Sequence, residues 1–462
     1  MPGRLEIELP ARPQPAMPWR ARTDQPLRLL LIADFSGRGA RAEVDIAGLS
    51  RRACQRIDFD NFDAVMQRLS PRLTLARSAG ELLQFNGLDD FHPDQLVRRI
   101  PALQQLNGLR QQLADPARFA QAAAALHGGD PIDPEADDTL GLQRLLGAGR
   151  GAAPPPAAAP AGGLEALLQQ IVAPHIVPAA PAFQAQHQAV ALARCGDELR
   201  ARLHDPALQA LEAAWRGVDW LVSNLELDED LQIHLLDVSR EELLADVVLA
   251  QGRVEHTGLR QALTRSAQAE LGWAALVTLF DFSADERDMG LLAALGTLAS
   301  QLQTPLLVGA HAAALGPQGQ VLPASAAWSS LGRSPVAAWI GAAAPRLLLR
   351  QPYGAARDPI ASFDFDEDDG SALLWGCAAL PCAAALVRNA VNERADFEFT
   401  GWPSFVRSKD DASAIGGAEF SLGEQACQSL LALGVMPLVN QRGSTTVRLL
   451  RLQSLAGTAL GR

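Results

Sequence analysis

The chain has 462 residues, 48% hydrophobic and 20% charged, with a formal net charge of −12, enough for two or three cores of ordinary globular composition. The acidic balance argues against nucleic acid as the main partner. No apolar run of membrane-spanning length is free of charges or helix breakers, so membrane insertion is not expected either.

The five cysteines (Cys54, Cys195, Cys377, Cys382 and Cys427) are scattered, with no Cys-x-x-Cys pair, and read as buried thiols in a reducing compartment. The opening Met1–Pro10 has no basic stretch leading into an apolar one, so a signal peptide is not expected. Residues 1–126 carry 17 Arg against 14 Asp and Glu, +3, and the remainder 23 Lys and Arg against 38 Asp and Glu, −15. Opposite signs favour docking of the two parts on each other, and unrelated solvated surfaces are the plain alternative.

Leu27–Ala33 is a short apolar run ending in the turn Asp34-Phe-Ser-Gly37 and predicts a strand. Asp60 is placed to cap a helix with Phe62, Val65, Met66 and Leu69 on one side, stopped by Pro71. Leu73–Leu75 and Leu82–Phe85 read as strands. After Gly87–Pro93, the series Leu96, Val97, Ile100, Leu103, Leu106, Leu109 and Leu113 marks a helix that Pro101 kinks or divides. This first stretch has too few elements for a large core of its own and calls for a partner surface. From about His127 to Gly163 the chain turns rich in Pro, Ala and Gly and reads as a tether.

Asp205-Pro206 is an N-cap followed by proline at the first helical position, and Leu208, Leu211, Trp215, Val218, Leu221 and Leu225 form the stripe behind it. Leu231–Val238 begins with strand alternation. Ser239-x-x-Glu242 is a capping box for the next helix. Gly272–Phe280 reads as a buried strand, Ser283-x-x-Glu286 as the cap of a helix running to about Leu302, and Pro305–Gly309 as the following strand. Apolar strands alternating with helices predict a partly parallel sheet covered on both faces.

Catalytic patterns are missing from the sequence. No phosphate-loop motif occurs, since the sole lysine, Lys409, follows Ser408, and the eight histidines show no metal-ligand spacing. Asp364, Asp366 and Asp368 fall on the first positions of a calcium loop. Asp369 stands where that loop needs glycine and Trp375 where it needs a bidentate Glu, so a solvated acidic loop is expected. Neither a cofactor nor an enzymatic activity is expected.

Several phrases resemble the two contractile-sheath proteins of type VI secretion. Pro26–Gly37, Ile57–Phe62, Leu88–Pro93, Pro101–Leu103 and Leu109-Arg110 are similar to the small subunit (TssB, VipA-like). Leu208–Gly217, Leu235–Ser239, Arg350–Gly354, Leu374–Ala378 and Gly434–Leu438 are similar to the large subunit (TssC, VipB-like). The resemblance implies a natural fusion of α/β (α+β) class, two tethered modules of mixed sheets with flanking helices. Residues 1–126 are the small-subunit-like module, 127–163 the linker, and 164–462 the large-subunit-like module. Set beside that family, whose large subunit continues for many tens of residues beyond the part matching Gly434–Asn440, the module is expected to be C-terminally shortened.

The resemblance also implies a cytoplasmic structural protomer that forms a helical homopolymer around an inner Hcp tube on a baseplate and contracts to deliver effectors. An adaptor that docks on sheath or baseplate without polymerising is the alternative. Neighbouring sheath subunits interlock by strand addition, and Leu5, Ile7 and Leu9 alternate as a donated strand would, a frayed terminus being the other reading. Large subunits present an N-terminal helix to the ClpV ATPase. Leu164, Leu167, Leu168, Ile171 and Val172 stand at the matching place, with simple packing on their own module as the other possibility.

Overall fold

The computed structural model describes residues 26–75, 82–126, 181–267, 272–355, 357–368, 373–391, 397–406, 414–440 and 444–460. Elements are numbered along the chain. The first stretch gives strand β1 (Leu27–Ala33), helix α1 (Ile46–Leu49), β2 (Gln55–Ile57), α2 (Phe62–Leu69), β3 (Arg72–Thr74) and β4 (Leu82–Gln84), then α3 (Pro93–Arg99), α4 (Pro101–Ala114) and α5 (Phe119–Leu126). Next come α6 (Pro181–Leu203), α7 (Pro206–Asn224), β5 (Leu231–Asp237), α8 (Arg240–Leu249), α9 (Gly258–Ala267), β6 (Ala275–Asp281), α10 (Glu286–Leu302) and β7 (Leu306–Gly309). The remainder is α11 (His311–Ala314), α12 (Ala326–Gly332), β8 (Ile340–Ala344), β9 (Leu347–Leu348), β10 (Trp375–Gly376), α13 (Ala379–Val391), β11 (Glu398–Phe399), β12 (Phe405–Val406), β13 (Ala414–Ile415), α14 (Glu424–Ala432), β14 (Val435–Asn440) and β15 (Val447–Leu449). The content is mixed α/β, as expected.

Local signals in the sequence set many of these boundaries. Asp205 accepts a hydrogen bond from the Ala207 N–H at the start of α7, and Pro206 fills the first helical position, whose N–H would have had no partner. The Ser239–Glu242 capping box forms in both directions and opens α8. Pro101 divides rather than kinks its helix: α3 ends at Arg99, and Ile100 is extended, as a residue before proline prefers.

Two caps differ from expectation. α2 starts after Asn61, not Asp60, and ends where Ser70 turns left-handed, one residue before Pro71. α10 is capped by Asp285, whose carboxylate accepts from the Asp288 N–H, while Ser283 hydrogen-bonds to Asp285 and Asp288 instead. A carboxylate two residues nearer the helix displaced the serine.

The described chain forms two compact units. The first contains a nine-stranded sheet in the order β11-β15-β14-β8-β7-β6-β1-β5-β2. From β14 to β5 the strands run parallel, and antiparallel strands close both margins. One face carries Leu30, Ile32, Leu236, Leu276, Leu306 and Val308, packed with Leu243 and Val247 of α8 and with Leu291, Leu295 and Leu298 of α10. The alternate residues Leu29, Leu31, Leu235, Val277 and Leu307 are equally buried on the other face, where α13 packs against β6, β7 and α7. Burial on both faces is why these strands are nearly uniformly apolar.

The second unit contains most of α3 to α6 together with residues 360–365. Leu113, Ala122, Ala123 and Leu126 of α4 and α5 cluster with Ala191 of α6. The Asp94 carboxylate accepts from the Ala361 and Ser362 N–H groups at 2.8 and 2.9 Å and from the Ser362 hydroxyl at 2.6 Å. Arg110 Nη2 donates to the Ser362 carbonyl.

Candidate functional site: a seam between two stretches of one chain

β1 lies between β5 and β6, strands that come some two hundred residues later in the chain. Leu27 to Ala33 pair in register with Leu231 to Asp237 on one side, and Leu29 to Ile32 with Ala275 to Thr278 on the other. Both backbone edges of β1 are therefore satisfied only by the later stretch, and unpaired they would carry the cost of buried amides. The nearest strand of its own stretch, β2, sits at the sheet margin on the far side of β5.

The loop after β1 ties the seam with charge. Asp237, at the end of β5, accepts from the Ser36 N–H at 2.9 Å, the Ser36 hydroxyl at 2.7 Å and Arg38 Nε at 2.9 Å. Asp34 accepts from the N–H groups of Arg38 and Gly39, both at 2.8 Å. Burial, with some repulsion from Asp237, still pushes its pKa up to about 6. Gly37 is required here: its φ is +75°, and the Arg72 carbonyl lies 2.5 Å from where a β-carbon would stand.

Glu242 is fully buried and serves two purposes. It closes the capping box of α8 and also accepts from Arg52 Nη1 and Nη2, each at 2.8 Å, and from the Asp45 N–H at 3.0 Å. Burial alone would raise its pKa, but the Arg52 guanidinium and the Ser239 and Asp45 N–H groups hold it below the usual carboxylate range.

Trp215 of α7 completes the seam. Its indole N–H donates to the Phe35 carbonyl at 2.9 Å, and the rings of Phe35 and Phe62 meet it edge-on at 5.4 and 5.7 Å.

Arg350-Gln-Pro-Tyr-Gly354 builds a second buried knot. Arg350 Nε donates to Glu212 at 2.8 Å and Nη1 to Glu367 at 2.7 Å, and the guanidinium lies 4.2 Å from the Tyr353 ring centre. Arg216 joins Glu212 at 2.7 Å, and the Tyr353 N–H joins Glu367 at 2.9 Å. Burial opposes ionisation of Glu367, yet Arg350, His204 and the Tyr353 N–H bring its pKa down to about 2. Neither glutamate belongs to a recognisable sequence motif. Glu212 gave a signal, being a carboxylate within the apolar stripe of α7, whereas Glu367 was hidden in an acidic run. Nearby Asp366 is ion-paired with Arg357 at 2.8 Å. Among the described residues no group of His, Cys, Asp and Glu is arranged to hold a metal ion.

A cavity of about 440 Å³ opens at the carboxyl ends of β1 and β6. Ala207, Ala210 and Ala214 of α7 and Leu380 of α13 form its apolar wall; Asp34, Arg240, Glu241, Asp281 and Arg346 supply the polar groups. Cys377 also lines it, and burial pushes its thiol up to about 12, which favours the un-ionised form. Leu5, Ile7 and Leu9 lie outside the described residues, as do Leu164, Leu167, Leu168, Ile171, Val172 and the whole of 127–163. Among the described residues no helix is long and apolar enough to cross a membrane.

The two stretches that complete this sheet match two different families of known proteins. Residues 193–455, more than half of the chain, match the VipB family described as "EvpB/VC_A0108, tail sheath N-terminal domain". The chain belongs to that family. Residues 19–127 match the VipA family described as "Type VI secretion system, VipA, VC_A0107 or Hcp2", so stretches similar to both sheath proteins stand in one polypeptide. The chain is 26% identical over 292 residues to the type VI secretion system sheath protein TssC1 of Pseudomonas aeruginosa, covering 55% of this chain and 57% of the relative. It is 31% identical over 98 residues to sheath protein TssB1 of the same organism, covering 20% of this chain and 55% of the relative. The chain thus spans little more than half the length of each of these curated relatives.

Proposed function

We propose that the chain is a structural protomer of a type VI secretion sheath, working in the cytoplasm. It polymerises with copies of itself into a tube around an inner Hcp tube, seated on a baseplate, and contracts to drive effector delivery. The observation that carries this reading is the place of β1, a strand of the VipA-like stretch, between two strands of the VipB-like stretch. A fused chain supplies both components in equal number and at high effective concentration. The role needs mechanical interlocking and no bond-making step.

Leu5, Ile7 and Leu9 serve in this reading as a strand donated to a neighbouring copy, and Leu164–Val172 as the handle by which the ClpV ATPase recycles the polymer. Deleting 164–172 should leave polymers intact while abolishing ClpV binding. Loss of assembly with ClpV binding retained rejects the handle. Negative-stain microscopy of the purified chain tests the main reading: hollow tubules are expected, whereas discrete small particles under all conditions would favour a non-polymerising adaptor.

A further inference from the structure

Phe59 is 78% exposed, more than any other large apolar side chain among the described residues. The turn that displays it is fixed: the Asp58 N–H donates to Asn61 Oδ1 at 3.1 Å, and the Asn61 N–H donates back to Asp58 Oδ1 at 3.0 Å. Ile57 before the turn and Phe62 after it are buried, the latter edge-on to Trp215. Exposed carboxylates stand beside the ring. Asp60 and Asp63 follow it in the chain, and Asp228, Glu229 and Asp230 belong to the loop that enters β5, the strand next to β2. Arg56 of β2 reaches the same loop, its Nη2 donating to the Asp228 carbonyl at 3.0 Å. Among the described residues, Asp60, Asp63, Glu229 and Asp230 form no ion pair.

The chain ahead of β1 departs from the same place. β1 runs parallel to β5 with Leu27 opposite Leu231, and β2 antiparallel to it with Ile57 opposite Ile233. The start of β1 and the end of β2 therefore flank β5, two strand spacings or about 10 Å apart across the sheet. The Leu27 N–H donates to the Asp230 carbonyl at 2.7 Å, tying the point of departure to the acidic loop. Residues 1–25 precede the first described residue. Within them, 9–23 hold Arg12, Arg20 and Arg22 and no acidic residue, with Trp19 beside the last two. Trp19 is eight residues from Leu27, a reach of up to about 27 Å for an extended chain, which exceeds the gap.

We infer that residues 17–22 dock on this surface of their own chain, with the Trp19 indole against the Phe59 ring and the Arg20 and Arg22 guanidiniums among the carboxylates. A basic segment with an aromatic residue thus meets an acidic surface with an exposed aromatic residue, so charge and apolar area match together. The turn is already ordered, and Pro18 fixes one dihedral of the incoming chain, so few groups lose freedom on docking. The contact needs no second copy and is independent of the sheath reading. Its consequence joins the two. Residues ahead of 17, Leu5, Ile7 and Leu9 included, leave the protomer from this margin of the sheet, and a strand donated by them goes to a copy that borders it.

The test places a photoreactive benzophenone amino acid at position 59 of the full chain, in an equal mixture of isotopically light and heavy copies, and maps cross-linked peptides after illumination. Cross-links to 17–22 within one copy are expected. Cross-links that join light to heavy copies would overturn docking on the same chain, and cross-links that miss 17–22, or none at all, would overturn the contact. Limited trypsin digestion reads the same contact without the probe. Cleavage after Arg20 and Arg22 should be slower than after Arg4. Phe59→Ala should speed it about three- to tenfold, the weight of an aromatic pair, with cleavage after Arg4 and the melting temperature unchanged. Equal rates after Arg20 and Arg22 in the two proteins would refute the inference. A failure to form tubules would remove the sheath reading alone and leave both results as they stand.

Discussion

Glu242 offers the sharpest test of the seam. It is fully buried, and its carboxylate receives hydrogen bonds from the Arg52 guanidinium and from the Ser239 and Asp45 N–H groups. Substituting Glu242→Gln keeps the shape but leaves Arg52 facing a neutral amide. It also turns an NH2 group toward donors. Breaking a buried pair from one side costs about 3–5 kcal/mol. Arg52 remains partly accessible to water, with 11% of its side chain exposed, so the lower end of that range is expected.

The effect should depend on pH. The folded-state pKa of Glu242 is depressed, so its contribution is present above the ordinary carboxylate pKa and is lost as pH falls through the folded value. Urea unfolding of wild type and Glu242→Gln at a series of pH values measures this. The two stabilities should differ most near neutrality and converge in acid. An Arg52→Met background should shrink the neutral-pH difference, because both substitutions remove the same interaction. A difference below 1 kcal/mol at pH 7, or one that does not change with pH, would refute the assignment.

Trp215→Ala should destabilise the sheet-containing unit by about 3–5 kcal/mol, the cost of emptying a buried aromatic site, and Trp215→Phe by the smaller amount due to the hydrogen bond to Phe35; a change within error for the alanine variant would mean the helix face is misassigned. Asp34 has the opposite linkage. Its folded pKa, pushed up to about 6, gives a contribution that is full below the ordinary carboxylate pKa and lost as pH rises through 6, a swing of about 2–3 kcal/mol. Asp34→Asn should therefore flatten the wild-type pH dependence between pH 4.5 and 7, and an unchanged slope would count against the raised value. Arg350→Met should strand two buried carboxylates and cost about 3–5 kcal/mol, and adding Glu367→Gln should recover part of it; a double variant no more stable than Arg350→Met would show that the knot is not an electrostatic unit.

Patterns confined to a few residues were legible in advance. The apolar run 27–33, the Asp205-Pro206 start and the Ser239–Glu242 box each specify their structure through neighbours in sequence, and the structure follows them. The need of the first stretch for a partner surface was also legible, from its shortage of core-forming elements. What could not be read was the identity of the partner strands, because β1 would fit between any two strands with free edges and apolar faces. The choice of β5 and β6 is made by groups far apart in the chain, such as Ser36 with Asp237. Ser283 misled because Ser-x-x-Glu and Asp-x-x-Asp overlap there, and the carboxylate is the stronger acceptor at a helix start. Phe59 looked like part of a family phrase, and its exposure follows only from the way the Asp58–Asn61 turn folds back.

The central position of β1 also governs when the molecule can fold. Ser36 and Asp237 are 201 residues apart, and at a synthesis rate of roughly 5–20 residues per second a nascent β1 waits about 10–40 s for its first neighbour. Throughout that interval it is an apolar ribbon with both edges open, the form most prone to mispair with strands of other nascent chains. Placing both sheath components on one polypeptide makes the rightful neighbour emerge from the same ribosome, so capture of β1 depends on translation and not on the concentration of a separately made partner.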